Sequence, residues 1–164
     1  PPGVVVESVE TAAQMQAALG RLAPASDVVV MAAAVADFRP VVVAERKLKK
    51  RDGLPEIALE PTPDILAGLG AAKLPGQVLV GFAAETDDLL ANATAKLAAK
   101  RVDMIVANDV GAPSTGFGHD TNAVTILVAD TEPVVVPLRD KRAVAVAVVD
   151  QIVARRAANG LPGI

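Results

Sequence analysis

The stretch VVVMAAAVADFRPVVVAERKLKK, Val28–Lys50, organises the rest of the chain. Its first six residues, Val28–Ala33, are all apolar, which predicts a strand buried on both faces of a sheet. Small residues then lead to a single acid, Asp37, and to a basic run at Lys47, Lys49, Lys50 and Arg51. Ligands of open α/β sheets bind beyond the carboxyl ends of the strands. This order of strand, acid and lysines therefore predicts a polyanion site at the end of the strand.

Strand-like and helix-like segments alternate along the whole chain. Alternating polarity and β-branched runs predict further strands at Val4–Val6, Val41–Val43, Glu56–Glu60, Gln77–Phe82 and Asp103–Ala107, and a hairpin of Asn122–Val128 with Pro133–Pro137. Helical spacing and capping residues predict helices at Ala12–Leu22, from Thr62 to about Gly70, at Asp87–Arg101 behind a Thr86 cap, and from Asp140 onward with Val144, Val148 and Ile152 on one face. The pattern predicts an α/β fold: a Rossmann-like, mostly parallel sheet with helices on both faces and a C-terminal β-hairpin.

Composition narrows the function more by exclusion than by indication. Aromatic residues make up 2% of the 164 residues, which argues against base-stacking surfaces for nucleic acid. The chain has no cysteine, which excludes thiol catalysis and thiolate metal sites. A net charge of −3 means that any phosphate site must come from local clustering of lysines. No apolar run approaches the roughly 20 residues of a membrane-spanning helix, and the expected protein is a soluble α/β domain.

The glycine motifs that mark common nucleotide sites are missing. The nearest approach, Gly68–Lys73, has lysine where the dinucleotide fingerprint requires its third glycine, and it lies at a predicted helix end. We interpret it as a helix C-cap. No GxxxxGK[ST] motif occurs either. A P-loop enzyme is excluded, and a sugar-nucleotide or dinucleotide oxidoreductase is disfavoured.

The charged candidates each have a structural alternative. The basic run is either a solvated loop or a phosphate-binding arm. Lys96 and Lys100, four residues apart, share one helical face and are either surface residues or part of a triphosphate clamp. Asp37 suits a sugar hydroxyl or Mg²⁺, or else caps a turn. Asp64 suits the positive end of the predicted helix, whose N–H groups are also available to ligands.

Three other candidates carry less charge. Phe82, in Gly81–Ala84 at a strand end, either packs against a base or belongs to the core. Asn108 follows another strand, and it either bonds a ligand or forms a turn. His119, the only histidine, is predicted to be solvent-exposed. Because no covalent nucleophile stands out, the residues favour catalysis by positioning and electrostatics on a phosphate-bearing substrate.

At these residues the chain becomes recognisable. Six motifs occur in the order of one family: Ala33–Pro40, Lys47–Lys50, Pro63–Ile65, Val80–Thr86, Ala107–Val110 and Gly116-Phe117 with Asn122. Together they cover nearly the whole chain. The chain resembles the phosphopantothenoylcysteine synthetase domain of the bacterial bifunctional coenzyme A biosynthesis flavoprotein.

The resemblance implies a two-step ligase, the CTP-dependent phosphopantothenate–cysteine ligase. The carboxylate of 4′-phosphopantothenate attacks the α-phosphate of CTP, giving an acyl-cytidylate and pyrophosphate with assistance from Mg²⁺. The amine of L-cysteine then displaces CMP. The implied CTP site comprises Met31, Ala32, Ala33, Asp37, Lys47, Pro63, Asp64, Ile65, Leu66, Phe82, Lys96 and Lys100. Lys47 is also implied in the second step as the catalytic residue.

The resemblance extends to the second substrate, the metal and the partners. Ala33, Ala34 and Asn108 are implied near phosphopantothenate. Mg²⁺ would be held through the phosphates, with Asp37 a possible ligand. The family is a cytoplasmic homodimer whose basic arm reaches across the two-fold axis. In the bifunctional protein FMN belongs to the separate upstream decarboxylase domain, not to this chain.

One departure from the family shapes the expectation for residues 1–164, a single ligase domain. The family's N-terminal strand, with a Gly- and Asn-containing loop that helps bind phosphopantothenate, has no counterpart in this sequence. We therefore expect an N-terminally truncated domain that keeps most of the nucleotide site and the dimer surface. The alternative to a working ligase is a nucleotide-binding and dimerisation fragment of that enzyme.

Overall fold

The structure, a computed structural model, describes residues 2–44, 46–49, 53, 56–85, 88–109 and 118–160. Within these ranges the elements are α1 (Ala12–Leu22), β1 (Val28–Met31), β2 (Phe38–Pro40), β3 (Leu59–Pro61), α2 (Ile65–Ala72), β4 (Val78–Glu85), α3 (Leu89–Lys100), β5 (Met104–Asp109), β6 (Thr121–Val128), β7 (Val134–Asp140) and α4 (Lys141–Ala158). Lys50, Arg51, Thr86 and Asp87, together with residues 110–117, lie outside the described residues, so the predictions made for them have no counterpart here.

The main sheet has five strands in the order β1-β4-β5-β6-β7. The pairs β1–β4 and β4–β5 are parallel, and β6 pairs antiparallel with both β5 and β7. Four of the five strands therefore run in one direction, and β6 alone runs in the other. Helices cover both faces of the sheet. The predicted fold class, a mostly parallel α/β sheet with a C-terminal hairpin, is confirmed.

The core consists of two apolar layers, one on each face of the sheet. On one face, Val144, Val148 and Ile152 of α4 pack against side chains of β4, β5 and β6. On the other face, α2 and α3 contribute leucines beside the buried Ala93. Met104, Val106 and Ile126 have no exposed surface, which places the centre of the core under β5 and β6. This packing confirms the prediction that Val144, Val148 and Ile152 lie on one face of α4.

Local capping signals located α1 accurately. The hydroxyl of Thr11 accepts a hydrogen bond from the Gln14 N–H at 3.2 Å, and the Gln14 side chain accepts one from the Thr11 N–H at 3.0 Å. This reciprocal capping box satisfies two of the four free donors at a helix start. The predicted bounds of α1 are those observed. After Leu22 the chain tightens into a 3₁₀ turn at Ala23–Ala25 around Pro24.

The strand in the opening stretch is shorter and more exposed than predicted. It ends at Met31, and Val30 is 46% exposed while Val29 is buried. The reason is topological, since β1 is an edge strand of the described sheet and pairs only with β4. The prediction that both faces are buried is therefore wrong. Ala32–Val35 instead belong to the loop that leaves the sheet.

Two other predicted strands do not form. Val4–Val6 have no strand structure in the described chain and are largely exposed. Val41–Val43 are exposed too, and the strand pairing ends at Pro40, just before them. In the described arm β2 pairs antiparallel with β3, with Phe38 opposite Pro61, and the Val41 N–H adds one more bond to the Ala58 carbonyl. β-propensity alone could not reveal which segments find partners.

The predicted start of α2 is displaced by two residues. The N-cap is Asp64, not Thr62, and its Oδ1 accepts a hydrogen bond from the Ala67 N–H at 2.9 Å. Gly70, predicted to cap the end of this helix, lies inside it and is buried. In α3 the helix begins at Leu89, and Arg101, in the left-handed conformation, ends it.

Candidate functional site

A cavity of about 260 Å³ opens beyond the carboxyl ends of β1 and β4. The end of β1, the loop after it, the start of α2, the Phe82 ring of β4 and one face of α3 enclose it. Its lining residues are Met31, Ala33, Val35, Ala36, Asp37, Thr62, Pro63, Asp64, Ile65, Leu66, Phe82, Lys96, Lys100 and Ile105. This is the end of an α/β sheet where ligands bind.

The acidic and basic groups of this cavity are linked. Lys100 of α3 donates a hydrogen bond to Asp64 Oδ2, while Asp64 Oδ1 caps α2. Partial burial by itself raises the pKa of Asp64. The bond and the charge of Lys100, together with the Ala67 N–H, outweigh it and hold this pKa below its usual value. Asp64 is thus a carboxylate near neutral pH, and it partly neutralises one of the two cavity lysines.

Two glycines let α2 come close enough to form this wall. A Cβ on Gly70 would lie 1.8 Å from the carbonyl oxygen of Lys100, so only glycine allows α2 to contact the end of α3. A Cβ on Gly81 would lie 2.5 Å from Leu66 and 2.9 Å from Ile105. Gly81 therefore leaves room for these two side chains, both of which line the cavity.

The loop carrying Asp37 is fixed by a backbone bond. The Thr62 N–H donates to the Asp37 carbonyl oxygen at 2.8 Å, just beyond the β2–β3 pairing. This bond joins the two ends of the arm, so the residues that follow β1 and those that precede α2 meet at the cavity. The Asp37 side chain remains exposed.

A second cavity, of about 450 Å³, adjoins the first. It lies over the carboxyl ends of β4 and β5 and the start of β6, and five residues line both cavities: Ala33, Val35, Asp37, Phe82 and Lys96. Its other lining residues are Ala32, Ala34, Ala83, Ala84, Asn108, Asn122 and Lys141. The two cavities form one continuous trough along the edge of the sheet.

The structure brings together most of the residues assigned from the resemblance. All of the proposed CTP residues line the first cavity except Ala32, which lines the second, and Lys47. The three proposed phosphopantothenate residues, Ala33, Ala34 and Asn108, all line the second. Lys47 lies in the exposed segment 46–49 and lines neither cavity. Their roles in binding stay predictions.

Sequence reasoning did not single out every residue of the trough. Thr62, Asn122 and Lys141 line it without having been assigned a role. The available signal was position: Thr62 directly follows β3, Asn122 lies at the start of β6, and Lys141 directly follows β7. His119 is exposed, as predicted.

The acidic side chains of the trough are better suited to a metal ion that arrives bound to a ligand's phosphates than to a metal held by the protein alone. In the part of the chain that the structure describes, no group of three or more acidic or histidine side chains could hold an ion. Asp37 is the one trough carboxylate without a described lysine partner, since Asp64 already caps α2 and pairs with Lys100. Mg²⁺ commonly uses one or two carboxylates together with substrate phosphates, and Asp37 can supply one of them.

None of the helices in the described residues is sufficiently long and apolar to span a lipid bilayer. The fold and the trough define the class of protein: an open α/β domain whose candidate ligand site lies beyond the carboxyl ends of its parallel strands. The chain belongs to a particular family of that class, the DNA/pantothenate metabolism flavoprotein C-terminal domain, whose profile matches residues 1–155.

Relatives and solved structures agree with this family. The chain is 47% identical over 146 residues to the coenzyme A biosynthesis bifunctional protein CoaBC of Bacillus subtilis (strain 168), covering 89% of this chain and 36% of that protein. The crystal structure of the C-terminal domain of a CoaBC protein superposes with a TM-score of 0.74 at 39% identity, over 93% of this chain and 66% of that one. The chain therefore spans little more than a third of that bifunctional relative.

A more distant structure shares the fold. A Cab2 variant, solved in complex with phosphopantothenate-cysteine, superposes with a TM-score of 0.71 at 21% identity, over 93% of this chain and 52% of that one.

Proposed function

We propose that this chain is a ligase domain that joins 4′-phosphopantothenate to L-cysteine with CTP in coenzyme A biosynthesis. The observation that carries the proposal is the trough, in which the residues assigned to the nucleotide and those assigned to the acid line two adjoining cavities. The family and the CoaBC relatives support a role in this pathway. The product-bound Cab2 structure supports the substrate class.

The first cavity suits a nucleoside triphosphate. Phe82, with 40% of its surface exposed, offers a ring face for a pyrimidine base. Lys96 and Lys100 place two ammonium groups on one face of α3, where they can neutralise phosphate charge as it develops. Asp37 can bind a ribose hydroxyl or supply one oxygen ligand to Mg²⁺, which would withdraw charge from the phosphates when bound.

The second cavity suits the acid substrate, and the five shared residues mark where the two ligands meet. There a carboxylate oxygen of phosphopantothenate attacks the α-phosphorus of CTP, and the bond from that phosphorus to the bridging oxygen breaks to release pyrophosphate. The cysteine amine next attacks the acyl carbon, CMP leaves with the oxygen, and the amine loses a proton to solvent. The protein supplies orientation and charge rather than a nucleophile.

Lys47 enters this scheme through a second subunit. It lies outside both cavities of its own chain, in the segment that continues from the β2–β3 arm. That arm exposes large apolar side chains, with Phe38 60% and Leu59 59% exposed. We propose that the arm packs on a second copy of the chain and carries Lys47 to the partner's trough.

The proposal is tested by incubating the chain with CTP, 4′-phosphopantothenate, Mg²⁺ and cysteine. Ligase function predicts pyrophosphate release that depends on phosphopantothenate, followed by CMP and phosphopantothenoylcysteine. The competing function, a nucleotide-binding and dimerisation fragment, predicts CTP binding without pyrophosphate release. Absence of CTP binding would refute both.

A further inference from the structure

The second cavity contains a cation that neither the resemblance nor the comparisons assign. Lys141 is the first residue of α4, follows the N-cap Asp140, and lines this cavity together with Asn108 and Asn122. It is absent from the first cavity. Lys96, by contrast, lines both. The first cavity, proposed for the nucleotide, thus contains Lys96 and Lys100 of α3. The second, proposed for the acid, contains Lys96 and also Lys141 of α4.

The polar groups follow the order of the strands across the sheet. Phe82 belongs to β4, Asn108 to the end of β5, Asn122 to the start of β6, and Lys141 comes directly after β7. Strands in a sheet lie about 4.8 Å apart, so the three steps from β4 to β7 cover roughly 14 Å. Lys141 therefore lies on the side of the trough away from the first cavity. Because a lysine side chain is long, its ammonium group can lie closer than its backbone to a ligand in the second cavity.

That separation fits an acid with anionic groups at both ends. In phosphopantothenate about nine bonds separate the carboxyl carbon from phosphorus, which at the reach of an extended chain is roughly 10 Å. With the carboxylate at the residues shared by the cavities, the phosphate extends towards β6 and β7. An ammonium group in a cavity that two asparagine side chains also line is suited to a phosphate monoester.

We infer that Lys141 binds the phosphate of the acid substrate and makes the site selective for phosphopantothenate over pantothenate. This inference rests on the proposed function and deepens it. The role is one of substrate binding, because the phosphate lies far from the carboxylate that reacts. Its loss should weaken binding of the phosphorylated acid without changing the affinity for CTP.

The chain offers a matched control in the neighbouring residue. Arg142 is another exposed cation in the first turn of α4, and it lines neither cavity. Both side chains lie at the positive end of a helix dipole that has no acidic residue in its first turn. Neutralising either should therefore affect the helix equally, so that a difference between them reports contact with the ligand.

The experiment measures binding of 4′-phosphopantothenate and of pantothenate by calorimetry, with a CTP analogue that cannot release pyrophosphate. Lys141→Gln should weaken phosphopantothenate binding about 10- to 100-fold, the range for one charge-assisted hydrogen bond. It should leave pantothenate and nucleotide binding unchanged. Arg142→Gln should match the wild type, and Lys141→Arg should restore much of the affinity.

Each other outcome decides something different. If Lys141→Gln binds phosphopantothenate like the wild type, or loses both acids equally, the assignment of Lys141 is overturned while the ligase proposal stands. If the wild-type chain binds neither the CTP analogue nor phosphopantothenate, the proposed function itself fails. Equal thermal midpoints for the two glutamine variants would show that folding does not account for the difference.

Discussion

At the scale of single residues, Asp64 acts in two ways at once. One carboxylate oxygen caps α2 and the other accepts a hydrogen bond from Lys100. Asp64→Asn keeps a good N-cap but removes the charge that competes with a triphosphate for Lys100. Because such a partly exposed pair is worth about 0.2–1 kcal/mol, CTP affinity should rise about 1.5- to 5-fold, as measured by calorimetry.

The control for this prediction is a second aspartate with the same capping geometry. Asp140 accepts a hydrogen bond from the Ala143 N–H at 2.9 Å at the start of α4, away from the nucleotide cavity. Asp140→Asn should leave CTP affinity unchanged. Weaker CTP binding by Asp64→Asn would instead mean that the carboxylate itself helps to hold the nucleotide.

The same residue predicts a pH dependence of stability. The pKa of Asp64 is lowered in the folded chain from an ordinary value of 3.8, so its contribution is present above that value and is lost as the pH falls through the folded pKa. The free energy of unfolding of the wild type should exceed that of Asp64→Asn by at most about 1 kcal/mol near pH 7. Urea denaturation should show the difference closing below about pH 4. A difference that persists or grows in acid would contradict this assignment.

At the scale of elements, the contact between α2 and α3 shapes the wall of the nucleotide cavity. A Cβ at Gly70 would meet the carbonyl oxygen of Lys100, whereas a Cβ at Gly68, on the same helix, meets nothing within 4 Å. Gly70→Ala should therefore force the helices apart and destabilise the domain by about 1–3 kcal/mol. It should also weaken CTP binding, because the walls of the nucleotide cavity contributed by α2 and α3 move apart. Both effects are measurable, by urea denaturation and calorimetry.

Gly68→Ala provides the matched comparison. Alanine is a better helix former than glycine, so this substitution should be neutral or stabilise by up to about 1 kcal/mol. It should leave CTP binding intact. Equal stability of the two alanine variants would show that α2 moves away from α3 at no cost, and the close approach would then not define the wall.

Local signals predicted the elements that depend on local contacts. The capping box of Thr11 and Gln14 predicted the start of α1, and Pro24 predicted its end. The spacing of Val144, Val148 and Ile152 identified the buried face of α4. Pairing partners were beyond the reach of such signals. Phe38–Pro40 pair with Leu59–Pro61 across a long arm, while Val41–Val43, with the higher β-propensity, form no strand.

The candidate site was predictable to the extent that it sits at strand ends. Asp37 and Phe82 each lie at or soon after the end of a predicted strand, and both line the trough. Lys141 escaped notice because a lysine at a helix start has no distinctive local pattern. It lines the same cavity as Asn108 because the order of the strands places β7 two strands from β5. Gly70 is similar: a glycine near a helix end predicts a C-cap, and only the fold shows its close packing against the Lys100 carbonyl.

At the scale of the whole molecule, the exposed arm is the feature that a single chain leaves unexplained. Phe38 and Leu59 expose more than half of their surface on a two-stranded ribbon, and the segment carrying Lys47 continues from it. A homodimer of the kind implied by the resemblance would bury this apolar surface.

Phe38→Asp should then shift the sedimenting species from dimer to monomer. Arg21→Gln, which alters an exposed residue in the last turn of α1, should not. A wild-type chain that sediments as a monomer would contradict the dimer directly.

Complementation between subunits tests whether Lys47 serves its own trough or its partner's. Lys47→Gln should leave CTP binding nearly intact and impair amide formation, whereas Lys100→Gln should weaken CTP binding. If the arm crosses the two-fold axis, a mixed dimer has one trough with both lysines and one with neither. Co-refolding equal amounts makes half of the dimers mixed, so about a quarter of wild-type ligation should return. If Lys47 acts within its own chain, every trough in the mixture keeps one defect and no ligation returns. The measurement is phosphopantothenoylcysteine formed from CTP, phosphopantothenate and cysteine, with each variant refolded alone as the baseline.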